Sequence, residues 1–326
     1  AGGRGSSHAQ RAQAPLTHRQ GSFHMNWTRR SLLVAGAAGA AGLSLTPSLS
    51  WAAKDADVYP FWEVRKGNAR VYLFGDGGSV TDPWSSPRIE AAFDASAVFW
   101  KETPDTPADR AKVIAAGVDR ARPLSTWLTA EQKERVAAAA VNAGTTYAAL
   151  EPVKPWLAAL VMSSAYSQKK AALPGPRAPG EAAASDPIAV LTARAKAAGK
   201  PIRTEYPDQD SLLAWAVAMS PQAQVEYLLY IIENNEQPSE HMAQRKREWA
   251  VGDMAPETRE VARIKQAYPN LFEPLDGERN RGWPPRVRKM LDDGGTSFVL
   301  VGCDHLLGPD SVLAQLAKAG LPARRI

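Results

Sequence analysis

The sequence predicts an α/β domain. Two short β-rich runs, 61–64 and 70–74, flank a Lys66-Gly67-Asn68 turn near its beginning. Near its end, Ser297-Phe298-Val299-Leu300-Val301 is a continuous apolar run, the mark of a strand buried on both faces. The long middle carries apolar residues at helical spacing, so strand and helix signals alternate at the ends around a helical centre.

The elements follow in order. The 70–74 run stops at Gly75-Asp76-Gly77-Gly78, which reads on its own as a tight turn. Residues 87–93 read as a short helix and 97–100 as a buried strand ending at Lys101-Glu102. Thr129-Ala130-Glu131-Gln132 is a capping-box pattern that opens a helix through about residue 143. Residues 147–168 are helical around Pro152 and Pro155, and 171–185, rich in Ala, Pro and Gly, read as a flexible loop. A helix over 186–198 ends at Gly199 before a short strand at 201–204. Ser220-Pro221 places a cap before Pro, and Val225, Leu228, Leu229 and Ile232 form the stripe of the helix it opens. Residues 257–268 repeat the pattern with Val261, Ile264 and Tyr268. Val287, Met290 and Leu291 mark a helix that Gly294-Gly295 ends. After the 297–301 strand, Asp310 opens a last helix with Val312, Leu313 and Leu316, stopped by Gly320. There is no repeat at solenoid spacing.

The charge is unevenly placed. The chain of 326 residues has 39 Lys+Arg against 34 Asp+Glu, a formal net charge of +5. All of that excess lies in residues 1–53, which hold five arginines and no acid, so the body is balanced at 34 against 34. A neutral body removes the electrostatic case for a nucleic-acid partner. From Met25, the run Thr28-Arg29-Arg30-Ser31-Leu32-Leu33, an Ala/Gly/Leu stretch and small residues before Ala52 give the order of an export signal. The paired arginines resemble a twin-arginine signal over 25–52, which predicts a periplasmic or secreted protein. Residues 1–24 read as a disordered or misassigned extension, and 53–326 as the exported domain with no stable membrane span. Cys303, the single cysteine, excludes an intramolecular disulfide and cysteine-only metal clusters.

In open α/β sheets ligands bind outside the carboxyl ends of the strands. Asp76, Glu102, Glu205 and the Asp304-His305 pair all follow predicted strands, and Glu278-Arg279-Asn280 precedes a helix. The body has two histidines, and His305, just beyond a buried strand, is the one placed for chemistry. The chain has no dinucleotide fingerprint, P-loop, zincin or nucleophile-elbow motif.

The ordered pieces resemble the TraB/GumN family, which includes Tiki and pheromone-shutdown-type proteins. The carriers are Phe61-Trp62-Glu63-Val64 with Val71-Tyr72-Leu73-Phe74-Gly75, Lys154-Pro155-Trp156, the 199–205 segment, Trp249/Gly252/Asp253, Glu278-Arg279-Asn280, and Val299 through Gly308. The resemblance implies a central mixed β-sheet flanked by helices with a helical middle insertion, related to erythromycin-esterase-like and ChaN-like folds. It also implies a site of two Gly-x-x-His elements with acidic residues, associated in the Tiki branch with metal-dependent peptide hydrolysis. On that frame Glu205, Arg279 and His305 are the catalytic candidates. Asp76, Glu102 and His305 are candidate ligands for Mn²⁺, Co²⁺ or Zn²⁺. Glu278, Asn280 and Asp304 are candidate binding residues.

Two departures bear on that frame. Gly78 stands where the family has its first His, and Lys101 stands at the acidic position, with Glu102 one residue along and on the opposite strand face. They favour a member that keeps the fold and binds a small molecule, peptide or partner without hydrolysis. The alternative is a divalent-metal-dependent hydrolase or peptidase of Tiki-like type.

Overall fold

A computed structural model describes residues 59–78, 84–172 and 186–326. The expected export leader and nearly all of the expected 171–185 loop lie outside the described residues; residues 171 and 172 themselves end a helix.

β1 (Phe61–Lys66) and β2 (Ala69–Asp76) form the expected hairpin, turned at Gly67 with φ 57°. α1 (Pro87–Ala95) is capped by Ser86 and leads to β3 (Val98–Lys101). The helical middle follows: α2 (Arg110–Gly117), α3 (Ala130–Ala143), α4 (Tyr147–Leu150), α5 (Pro155–Ala172) and α6 (Pro187–Ala197). The helical stretch expected over 147–168 around Pro152 and Pro155 is two helices, because neither proline can donate to a continuing ladder. β4 (Ile202–Thr204) precedes α7 (Gln209–Ala218), α8 (Pro221–Glu236), α9 (Ser239–Ala250), α10 (Ala255–Ala267) and α11 (Pro269–Phe272). A π-helical turn, Glu273–Gly277, runs straight into α12 (Glu278–Asp293). β5 (Thr296–Gly302), a 3₁₀ turn at Cys303–Leu306, α13 (Val312–Lys318) and β6 (Arg324–Arg325) complete the chain. The last helix is capped by Ser311 rather than opened by Asp310, since the Ser311 hydroxyl accepts from the Ala314 N–H.

The sheet is mixed, in the order β4-β3-β5-β2-β1-β6. β4, β3, β5 and β2 are parallel, β1 pairs antiparallel with β2, and β6 pairs antiparallel with β1 as the edge on that side. The fold is therefore α/β, with a central mixed sheet and helices on both faces. Alternation along each strand divides the core. Phe61, Tyr72, Phe74, Phe99, Phe298 and Leu300 face α1, α6 and Trp249. Val64, Val71, Leu73, Val299 and Val301 face α12 and α13. A third core joins α5 to α8 through Trp156, Met162, Leu228 and Ile231. The parallel strands end together, so Thr204, Lys101, Gly302 and Asp76 line one carboxyl edge of the sheet.

Candidate functional site

The backbone ladder between β3 and β4 continues past the assigned strands, with Glu205 N–H donating to Lys101 O and Tyr206 N–H to Glu102 O. Lys101 pairs with Thr204, so Glu102 comes level with Glu205 on the same face. Two carboxylates side by side, both buried, repel strongly unless a cation joins them.

Arg279 is that cation. Its Nε donates to Glu205 Oε1 at 3.1 Å and its Nη2 to Glu205 Oε2 at 2.7 Å, a bidentate fork. The same Nη2 donates to Glu102 Oε2 at 2.9 Å. The remaining Nη1 donates to Leu275 O, and the Glu102 Oε1 accepts from the Gly302 N–H at 2.5 Å. Burial alone would lower the Arg279 guanidinium, but Glu205 and Glu102 hold it well above its usual range.

The π turn explains how Arg279 arrives there. It leads straight into α12, so Asp276, Arg279 and Asn280 share one buried face at i, i+3 and i+4 spacing. Glu278, next in the chain, points to solvent on the other face. Asn280 Nδ2 donates to Asp310 O, which leaves its Oδ1 to accept from His305 Nδ1 at 2.6 Å. Asp276 Oδ1 lies 3.4 Å from the same ring nitrogen. His305 is fully buried, and its Nε2 faces Glu102 Oε1 at 3.9 Å, beyond hydrogen-bond distance.

Tyr206 lies over Arg279, 5.7 Å from guanidinium carbon to ring centre, and meets Trp215 edge to face. Burial first, with Glu205 and Glu102 adding to it against Arg279, pushes its hydroxyl up to about 12. Thr103, Leu212 and Leu275 close a cleft over the ion pair, leaving about 10 Å³, roughly the room one water needs.

The structure thus joins Glu102, Glu205, Arg279, Asn280 and His305, and adds Asp276 and Tyr206, which the sequence reading missed. Asp76 and Asp304 stand apart from them. Asp76 shares the face of Phe74, and its Oδ1 accepts from the Gly78 N–H. Asp304 lies beside Glu257 and Cys303, where its charge helps burial raise both groups.

A family model for the TraB/PrgY/gumN family matches residues 60–325. The chain belongs to the TraB/PrgY/gumN family. No curated protein and no solved structure matches it.

Within that TraB/PrgY/gumN frame, both departures have a structural basis. Gly78 has φ 102°, a backbone that side chains with a Cβ rarely adopt, so a His there would be strained. Lys101, by alternation with Phe99, points to the opposite face from Glu102, where it pairs with Asp105. Asp105 also holds Lys196 at 2.9 Å. Lys101 is therefore neutralised away from the cluster rather than opposing a cation within it.

The donor set does not fit a divalent metal. Both Glu205 oxygens and one Glu102 oxygen are held by Arg279, and the other Glu102 oxygen by a backbone N–H. Among the described residues, no group of three or more His, Cys, Asp or Glu side chains is placed to hold a metal ion. A guanidinium supplies the positive charge between the carboxylates.

Proposed function

We propose that this chain is an exported member of the TraB/PrgY/gumN family that binds a small molecule or peptide at the carboxyl edge of its sheet without hydrolysing it. The observation that carries the reading is Arg279 bridging Glu102 and Glu205. Metal-assisted hydrolysis needs carboxylate oxygens free to bind the ion and an open position for water. Here those oxygens are committed. The strain that Gly78 would impose on a His points the same way.

The test is direct. Residues 53–326 are purified, exposed in turn to Mn²⁺, Co²⁺ and Zn²⁺, dialysed and assayed for bound metal and for cleavage of a peptide mixture. The expected result is metal well below one equivalent, unchanged by His305→Ala, and no cleavage. Near-stoichiometric metal, lost together with peptidase activity in His305→Ala, would overturn the reading and establish the metal-dependent hydrolase.

Export is part of the same proposal and is supported by the Arg29-Arg30 pair and the acid-free leader. No helix among the described residues is long and apolar enough to cross a membrane. Fused through residue 60 to a reporter that functions only after export in the folded state, residues 25–60 are expected to direct export. Arg29→Lys together with Arg30→Lys is expected to abolish it. Equal export by the double variant would exclude the twin-arginine route.

A further inference from the structure

We propose that α9 is a lid over the carboxyl edge of the sheet, plugged by Trp249 and latched by Arg245 on Glu257.

α9 is attached unlike its neighbours. Of its 12 residues, Trp249 alone among the described side chains is buried. α8, by contrast, buries nine of 16. Helices owe most of their stability to packing of an apolar face, so one buried residue holds a helix weakly. Its N-terminus is loose, since no side chain caps it at Pro238. Its C-terminus is tied off at Gly252, φ 76°, where the Gly252 N–H donates to Trp249 O and the Asp253 N–H to Glu248 O, so the helix is held at the end that carries Trp249.

Two of its contacts, one apolar and one charged, tie it to the rest of the domain. The Trp249 indole lies against Gly77, where even a Cβ would come within 2.2 Å of the ring. Its Nε1 donates to Gly75 O at 2.9 Å, and its ring meets Phe74 and Tyr59, each 6.1 Å away between centres. The second contact is Arg245, whose Nη2 and Nε donate to Glu257 Oε2 at 2.5 and 3.2 Å. The indole thus fills the end of β2, the position where ligands of parallel sheets sit. Beneath it lie Asp76 and the Cys303 turn, and Cys303 Sγ packs 3.4 Å from Met254 Sδ in the segment that joins α9 to α10. Loosening one helix leaves the sheet intact, so the lid opens as a local unit rather than by global unfolding.

Cys303 reports the motion, because it is the chain's single cysteine and is buried in the same cluster as Trp249. Burial first, then Glu257, Asp304 and Asp76, holds its thiol well above the usual range, so the closed protein reacts slowly.

The experiment measures labelling of native protein by a disulfide reagent at fixed pH, with hydrogen exchange followed alongside. Arg245→Gln is expected to speed Cys303 labelling about tenfold or more, since it removes a charged latch, with the far-ultraviolet circular dichroism unchanged. Trp249→Phe keeps the ring and loses the bond to Gly75, and is expected to fall between wild type and Arg245→Gln. In wild type, amides of 240–252 are expected to exchange ahead of those of α8. Labelling equally slow in both variants overturns the lid. So does labelling that tracks global unfolding in denaturant, or equal protection of 240–252 and α8. The lid covers the edge at which ligand binding is proposed above. Its readout needs no ligand, so its failure leaves that reading standing.

Discussion

Arg279→Met is expected to destabilise the domain by about 3–5 kcal/mol, the usual cost of stranding buried charge by removing one partner. The variant leaves Glu102 and Glu205 level on one face, both buried, with no cation between them. Arg286 is no substitute, because its Nη1 is 3.9 Å from Glu205 and its side chain is 36% exposed. Arg279→Lys is expected to recover only part of the loss, since one ammonium cannot make the forked contact to Glu205 and reach Glu102 as well. The triple variant Glu102→Leu, Arg279→Met, Glu205→Leu is expected to recover most of the stability, because it removes the charges together. It still falls short by about 1–3 kcal/mol, the cost of leaving the Gly302 N–H without the carboxylate it now donates to. Urea denaturation of the four proteins checks this. A loss below about 1 kcal/mol in Arg279→Met would mean the triad behaves as a solvated surface pair.

Such a triad was only half legible in the sequence. Glu102 could be placed at a strand end because the run before Lys101 is short and apolar, and Glu205 because a short strand follows Gly199 and Pro201. That they come level depends on a three-residue parallel pairing, β3 with β4, which leaves no mark in either strand alone. Arg279 and Asn280 were visible as a polar group before a helix, but the reading included Glu278, which the helix turns outward. The π turn at Glu273–Gly277 has no period to read, so Asp276 was missed, although its spacing to Arg279 and Asn280 was the available signal.

Alternation is where sequence reasoning did most and was also misapplied. It separated Lys101 from Glu102, and the structure places Lys101 with Asp105 on the other face. The same rule puts Asp76 with Phe74, on the side of Trp249, away from Arg279. Placement at a strand end does not suffice for Asp76 and Asp304, because strand ends present two faces. The missed elements have similar causes. α2 buries only Val113 and Gly117, too few for a stripe, and β6 is two arginines whose pairing with β1 is set by the rest of the chain. The buried runs of β2 and β5 were legible because strands covered on both faces cannot carry polar residues between their ends.

Phe298→Ala is expected to be the most damaging single change to the sheet, at about 3–5 kcal/mol for deleting a buried aromatic ring. Phe298 is fully buried on the central strand β5. Its ring centre lies 5.9 Å from Phe61, 6.2 Å from Phe74, 5.4 Å from Phe93 and 6.4 Å from Phe99. It therefore joins β1, β2, α1 and β3 in one aromatic core, and alanine leaves a cavity onto which a ring from each of those elements loses one of its contacts. Phe298→Leu fills most of that space and is expected to cost clearly less. The damage should also reach the polar cluster, because β5 ends at Gly302, whose N–H fixes Glu102. A shift in β5 disturbs the carboxylate that Arg279 must reach. Denaturant midpoints measured alone and combined with Arg279→Met separate the two effects. If β5 couples them, the double variant loses less than the sum of the singles. Simple additivity would mean that the aromatic core and the Glu102–Arg279–Glu205 bridge are independent supports of the fold.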